Sequence, residues 1–181
     1  MKTFSTFLNR HSNWKSLVAL LAVYMLFNGY ILKNAESKIM ALAGKSVGII
    51  DLTFGFDPHK TLQMVQDYGD SARAYYARIE MTTDVVYPIV YTLLFGIILS
   101  LLYRYTSYSW LNTAPLACLV FDLLENVTIV ILLSTFPQQS STVAILCEIF
   151  KLLKWVSFAV VILLVLFGLG ARLTGRFKGN S

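Results

Sequence analysis

Four long apolar runs constrain this chain more than any other feature: residues 16–32, 85–103, 110–136 and 143–173 are built mainly from Leu, Val, Ile, Phe and Ala. A helix crosses a hydrocarbon core of about 30 Å with about 20 residues, at about 1.5 Å rise each. Strands of a membrane barrel alternate apolar and polar residues over about ten positions, and these runs do not alternate. Within lipid an apolar run must satisfy its own backbone hydrogen bonds, which a helix does inside one segment. Composition agrees. With 56% hydrophobic and 14% charged residues and a mean hydropathy of +0.63, the 181-residue chain carries more apolar surface than a water-soluble core can absorb. The expected fold is an all-α membrane protein: a four-helix transmembrane bundle in one membrane domain spanning residues 1–181, with a helical extracytoplasmic cap, residues 33–84, between helices 1 and 2.

Basic residues set the expected orientation. Lys2, Arg10 and Lys15 precede the first run, Arg104 lies between the second and third, and Arg172, Arg176 and Lys178 close the chain. The segment 33–84 is nearly neutral, with six basic and seven acidic residues. Both termini are therefore expected in the cytoplasm and 33–84 outside, in a cell (inner or plasma) membrane. The basic residues flank apolar runs and form no solvated patch, so the net charge of +5 does not point to nucleic acid. The first run reads as an anchor that is retained, because the polar stretch before Ala41-Leu42-Ala43 is too long for a cleavage region. Ahead of it, Phe4, Phe7 and Leu8 with Lys2 and Arg10 suit a short helix on the inner leaflet, or an unstructured tail.

Within 33–84, Asp57-Pro58 reads as an N-cap with proline in the first turn of an amphipathic helix that Gly69 can end. The apolar stretch 41–50, loosened by Gly44 and Gly48, reads as a loop against the membrane surface. From Ser71 the pattern predicts one uninterrupted helix to Tyr103, bent at Pro88. Pro115 is expected in the first turn of the third span, and Gly168 and Gly170 to allow close helix contact.

Polar side chains inside the apolar runs carry the functional expectation, since an ionisable group at a span centre costs about 2.5–3.5 kcal/mol on insertion scales and needs an interior partner or a wet cavity. Asp122, Glu125 and Asn126 share one face of the third run, continued by Cys118 and Ile129. Arg73, Glu80, Asp84, Tyr87 and Tyr91 share a face of the second helix, and Glu148, Lys151 and Trp155 one of the fourth. Asn28, with Tyr24, adds polar groups from the first. At similar depth these stripes predict one outward-opening polar chamber. Its expected ligand-binding residues are Asn28, Asp84, Tyr87, Tyr91, Asp122, Glu125, Asn126, Glu148 and Lys151. The bland alternative is assembly alone, with Lys151 or Lys154 paired to Glu125 or Asp122 and Glu148 paired along its own helix.

Three functions fit. The first is a small polytopic protein binding a lipid-like or hydrophobic ligand, or a partner subunit that is another membrane protein or a second copy, with membrane lipids as its surroundings. The second is an intramembrane enzyme on a lipid-borne substrate, with Asp122 or Glu125 as base and Lys151 holding an anionic group. Proton-coupled transport ranks third, because no inverted repeat is visible. No cofactor and no metal is expected: His11 and His59 lack a second ligand at useful spacing, and Cys118 and Cys147 read as small buried hydrophobes. Zinc-protease, phosphate-loop, nucleophile-elbow and CxxC motifs are absent from the sequence.

Overall fold

Helix boundaries follow the capping residues and left-handed glycines. The computed structural model describes residues 2–175, which form α-helices with no strand among them; Arg176 and Lys178 lie outside the described residues. Helix α1 is Lys2–His11. Helix α2, Trp14–Leu26, starts where Asn13 Oδ1 accepts from Ser16 N at 3.0 Å. A π-helical turn, Phe27–Ile31, joins it directly to α3, Leu32–Ala43, which Gly44 ends at φ 68°. Helix α4, Pro58–Met81, is capped by Asp57 Oδ1 on Lys60 N at 3.0 Å, with Pro58 in its first turn. Helices α5 (Thr83–Tyr103), α6 (Pro115–Ser134) and α7 (Ser141–Leu173) complete the fold. Four helical stretches are long and apolar enough to cross a membrane: Trp14–Ala43, Pro58–Tyr103, Ser109–Ser134 and Ser141–Leu173.

Three boundaries differ from the sequence expectation. The first helix does not end near residue 32 but continues through the π turn to Ala43, because Ile39 on α3 buries itself in the core around Tyr68, Tyr76 and Ile129, with Ala35 also buried one turn earlier. Residues 41–43 are therefore helix, and the loop begins only at Gly44. The helix expected from Ser71 to Tyr103 is broken at Thr82 (φ −124°, ψ −78°), so α4 and α5 are separate. Pro88 sits inside α5 and lacks the N–H that would bond the Asp84 carbonyl. Asn126 Nδ2 donates to that carbonyl instead, at 2.7 Å.

Gly69 interrupts α4 at φ 71°, ψ 168°, and leaves the last carbonyls of the first half without helical partners. Arg73 fills that role: its Nη1 donates to Val65 O at 3.0 Å, its Nη2 pairs with Asp70, and its guanidinium lies 3.8 Å from the Phe136 ring centroid. Arg73 is thus a buried structural group and not part of a polar chamber.

The two ends of the bundle differ in chemistry. At one end α1 docks, with Leu8 buried and Asn112 Nδ2 reaching Ser100 Oγ at 2.8 Å and Ser5 O at 3.1 Å. Arg104 donates to Ser12 O, and Arg172 to Leu101 O and Leu102 O, supplying donors to free carbonyls at the end of α5. At the other end α3, α4 and the loop 44–57 cover the starts of α5 and α7 and the end of α6.

Gly168 sets the α5–α7 contact. A Cβ there would meet Tyr103 Cε2 at 2.9 Å, and the Tyr103 ring is tethered by its hydroxyl donating to Leu164 O at 2.7 Å. Gly168→Ala is expected to lower stability by about 1–3 kcal/mol. Gly170→Ala, with nothing within 4 Å, is expected to leave it unchanged; thermal unfolding in mild detergent reads both.

Candidate functional site

A cavity of about 330 Å³ opens where α2, α3, α4, α5, α6 and α7 meet under the loop 44–57. Its aromatic wall includes Tyr24, Tyr87, Tyr91, Trp155 and Phe158. Tyr87 stacks with Tyr24 at 5.9 Å and meets Tyr91 edge-on at 5.4 Å, and Tyr91 meets Phe158 edge-on at 6.0 Å. Charged side chains, Lys33, Glu36, Asp51, Asp84, Asp122 and Lys154, share the remaining wall with aliphatic ones from α3, α4 and the loop.

The π turn places Asn28 at the rim of this cavity. An extra residue in that turn frees it from regular packing, and Asn28 uses both ends of its amide: Nδ2 donates to Tyr24 O at 2.9 Å and Oδ1 accepts from Tyr87 OH at 3.0 Å. Deeper in, Tyr91 OH donates to Asp122 Oδ2 at 2.8 Å. Lys154 from α7 reaches across to α6, with Nζ 2.5 Å from Glu125 Oε2 and 3.7 Å from Asp122 Oδ1. Glu125 is fully buried behind that pair and Asp122 is 6% exposed.

Of the residues expected to converge, Asn28, Asp84, Tyr87, Tyr91 and Asp122 line the cavity. Glu125 and Asn126 lie behind the wall, the first held by Lys154 and the second by the Asp84 carbonyl. Glu148 and Lys151 are placed elsewhere, which corrects the expectation that Lys151 faces Asp122 and Glu125. Lys151 Nζ donates to Glu148 Oε1 at 2.6 Å and to Thr53 Oγ1 at 2.6 Å. Glu148 also accepts from Thr61 Oγ1 at 2.6 Å and from Asp57 N at 3.1 Å. This network fastens the loop and the start of α4 to α7, so its work is assembly. Lys151 and Lys154 are three residues apart, about 60° around a helix, which is enough to send one to the loop and the other to α6.

Sequence reading missed Asp51 and gave Glu80 only as part of a stripe. Tyr76 OH donates to Asp51 Oδ1 at 3.1 Å and accepts from Ile50 N at 3.1 Å, which fixes the loop carboxylate against α4. One carboxylate oxygen from each of Asp51, Glu80 and Asp84 lies within 4.8 Å of the other two. The four-residue spacing of Glu80 and Asp84 was the available signal; nothing local marked Asp51 as their neighbour. Cys118 and Cys147 are free and buried.

No protein-family model matches the chain, and neither the curated proteins nor the solved structures give a match.

Proposed function

We propose that this chain is a multi-pass integral membrane protein of the cell membrane that binds a lipid-like amphiphile, its polar head in the cavity and its apolar part along the aromatic wall. The observation that carries the reading is the cavity itself: about 330 Å³, lined by aromatic and aliphatic side chains together with six charged ones, at the meeting point of all four long helices. That volume falls at the small end of ligand pockets and suits a head group with its first carbons rather than a whole lipid. Four acids against two lysines on the wall favour a head group bearing positive charge or hydrogen-bond donors.

Membrane insertion is supported by the outward faces. Val18, Leu21, Met25 and Leu26 on α2, Val120, Leu124 and Val127 on α6, and Leu163, Leu166 and Phe167 on α7 are exposed, as lipid-facing positions require. Orientation rests on the positive-inside rule: α1, Arg104 and Arg172 gather at the end opposite the cavity, so that end is cytoplasmic and the loop 44–57 with α4 forms an extracytoplasmic cap. Binding is preferred to catalysis because Glu125, one candidate base, is fully buried against Lys154 and does not face the cavity.

The test is native mass spectrometry, with lipid extraction, of protein purified in mild detergent. Wild type is expected to carry a stoichiometric amphiphile; Asp122→Asn, at the foot of the wall, is expected to lose about tenfold or more of it while melting near wild type. An empty wild-type protein, or an Asp122→Asn variant that unfolds with its ligand content unchanged per folded chain, refutes the reading in favour of assembly.

A further inference from the structure

We infer that Asp51, Glu80 and Asp84 form a binding site for a divalent cation of the hard, oxygen-coordinated kind, such as Ca²⁺, Mg²⁺ or Mn²⁺. Two of its three carboxylates, Asp51 and Asp84, also line the amphiphile cavity, so the site adjoins that cavity, but its ligand set is complete without an amphiphile.

Three separate segments deliver the three carboxylates: the turn Ile50–Leu52, the last residues of α4 and the first turn of α5. The break at Thr82 lies between Glu80 and Asp84 and ends the α4 axis there, so the pairing is a feature of the helix junction. One oxygen from each acid lies within 4.8 Å of the others, a spacing that a single cation spans when its oxygen ligands sit at about 2.1–2.6 Å. Carboxylate-only ligation selects hard divalent ions over zinc or copper, which favour nitrogen and sulfur.

A cluster of acids alone would carry little, and Glu80 supplies the second observation. It is 0% exposed, and among the described residues no donor reaches either of its carboxylate oxygens. Burying such a group without a partner is costly, and native structures rarely leave it so. The lysines and arginines that form ion pairs among the described residues all pair with other acids. Lys154 is paired with Glu125 and Asp122, Lys151 with Glu148, Lys45 with Asp67 and Arg73 with Asp70, and among the described residues no ion pair involves Asp51, Glu80 or Asp84. Tyr76 orients Asp51 by a hydrogen bond, as outer partners of metal ligands do. Asp51 and Asp84 lie on the cavity wall, which gives an ion a way in.

Full-length protein in detergent, stripped with EDTA and freed of lipid, is titrated with Mn²⁺ and read by electron paramagnetic resonance, with Ca²⁺ and Mg²⁺ as competitors. Wild type is expected to bind one Mn²⁺ saturably. Glu80→Gln and Asp84→Asn are expected to weaken binding by about tenfold or more, Tyr76→Phe by less, and Asp67→Asn, in the outlying pair with Lys45, not at all. Mn²⁺ should also raise the melting temperature of wild type and leave that of Glu80→Gln unmoved. Should Glu80→Gln fail to fold, Asp51→Asn takes its place. Absence of saturable binding by wild type up to millimolar Mn²⁺, or unchanged binding in the folded Glu80→Gln or Asp51→Asn variant, overturns the inference. Because the readout is the metal alone on lipid-free protein, such a failure leaves the amphiphile reading standing.

Discussion

Glu148→Ala is expected to cost about 3–5 kcal/mol of stability in detergent, because it strands the Lys151 ammonium in a site that is 2% exposed. Glu148 is the common acceptor for three donors from three segments: Lys151 Nζ on its own helix, Thr61 Oγ1 in α4 and the Asp57 backbone at the α4 cap. Removing it leaves a buried charge and two unsatisfied donors, and it also unties the loop 44–57 from α7. Lys151→Met alone is expected to be destabilising to a similar degree, since it leaves the carboxylate buried with only the two neutral donors. The double variant Glu148→Leu with Lys151→Met is expected to recover most of the loss, because two apolar side chains of similar size carry no desolvation cost. With Glu148→Leu made as a single variant beside Lys151→Met, thermal or denaturant unfolding of wild type, the two singles and the double closes a double-mutant cycle; strict additivity of the two single losses would rule out direct coupling between the pair.

Lys154→Met is expected to be the second large effect, again about 3–5 kcal/mol of stability. Lys154 is the cation between two buried acids on the facing helix, and α6 packs closely along α7. Without it Asp122 and Glu125, on adjacent turns of one face, are left close together with no opposite charge. Lys154→Arg keeps the charge but demands a planar, forked geometry in a pocket built around a single ammonium, so a partial loss is expected. Adding Glu125→Gln to Lys154→Met is expected to restore part of the stability, because one of the two uncompensated carboxylates is then neutral. Unfolding measurements on the single and double variants check both expectations. A Lys154→Met protein as stable as wild type would show that the ion pair contributes nothing.

Much of this was legible in the sequence where one helix decides the outcome. The face of α6 formed by Cys118, Asp122, Glu125, Asn126 and Ile129 is buried as one stripe, because helical periodicity fixes which side chains share a side before any partner is known. Asp57-Pro58 and Gly69 mark the start and the interruption of α4 through backbone preferences that act within a turn. Other features had no local signal. Neither the break at Thr82 nor the Asn126 amide, from another helix, taking up the Asp84 carbonyl that Pro88 leaves free was marked by neighbouring residues. The extension of the first helix to Ala43 required a core for Ile39 to enter.

By itself, then, the sequence determined four apolar helical stretches, their polar stripes and several helix ends, because these depend on propensity and periodicity over a few neighbouring residues. Only the tertiary structure decided that Lys154 and not Lys151 meets Asp122 and Glu125, that Glu148 holds the loop, and that Asp51 joins Glu80 and Asp84. Those choices turn on rotations of about 60° around a helix and on contacts between segments far apart in the chain. Packing sets both, and no local pattern of residues encodes them.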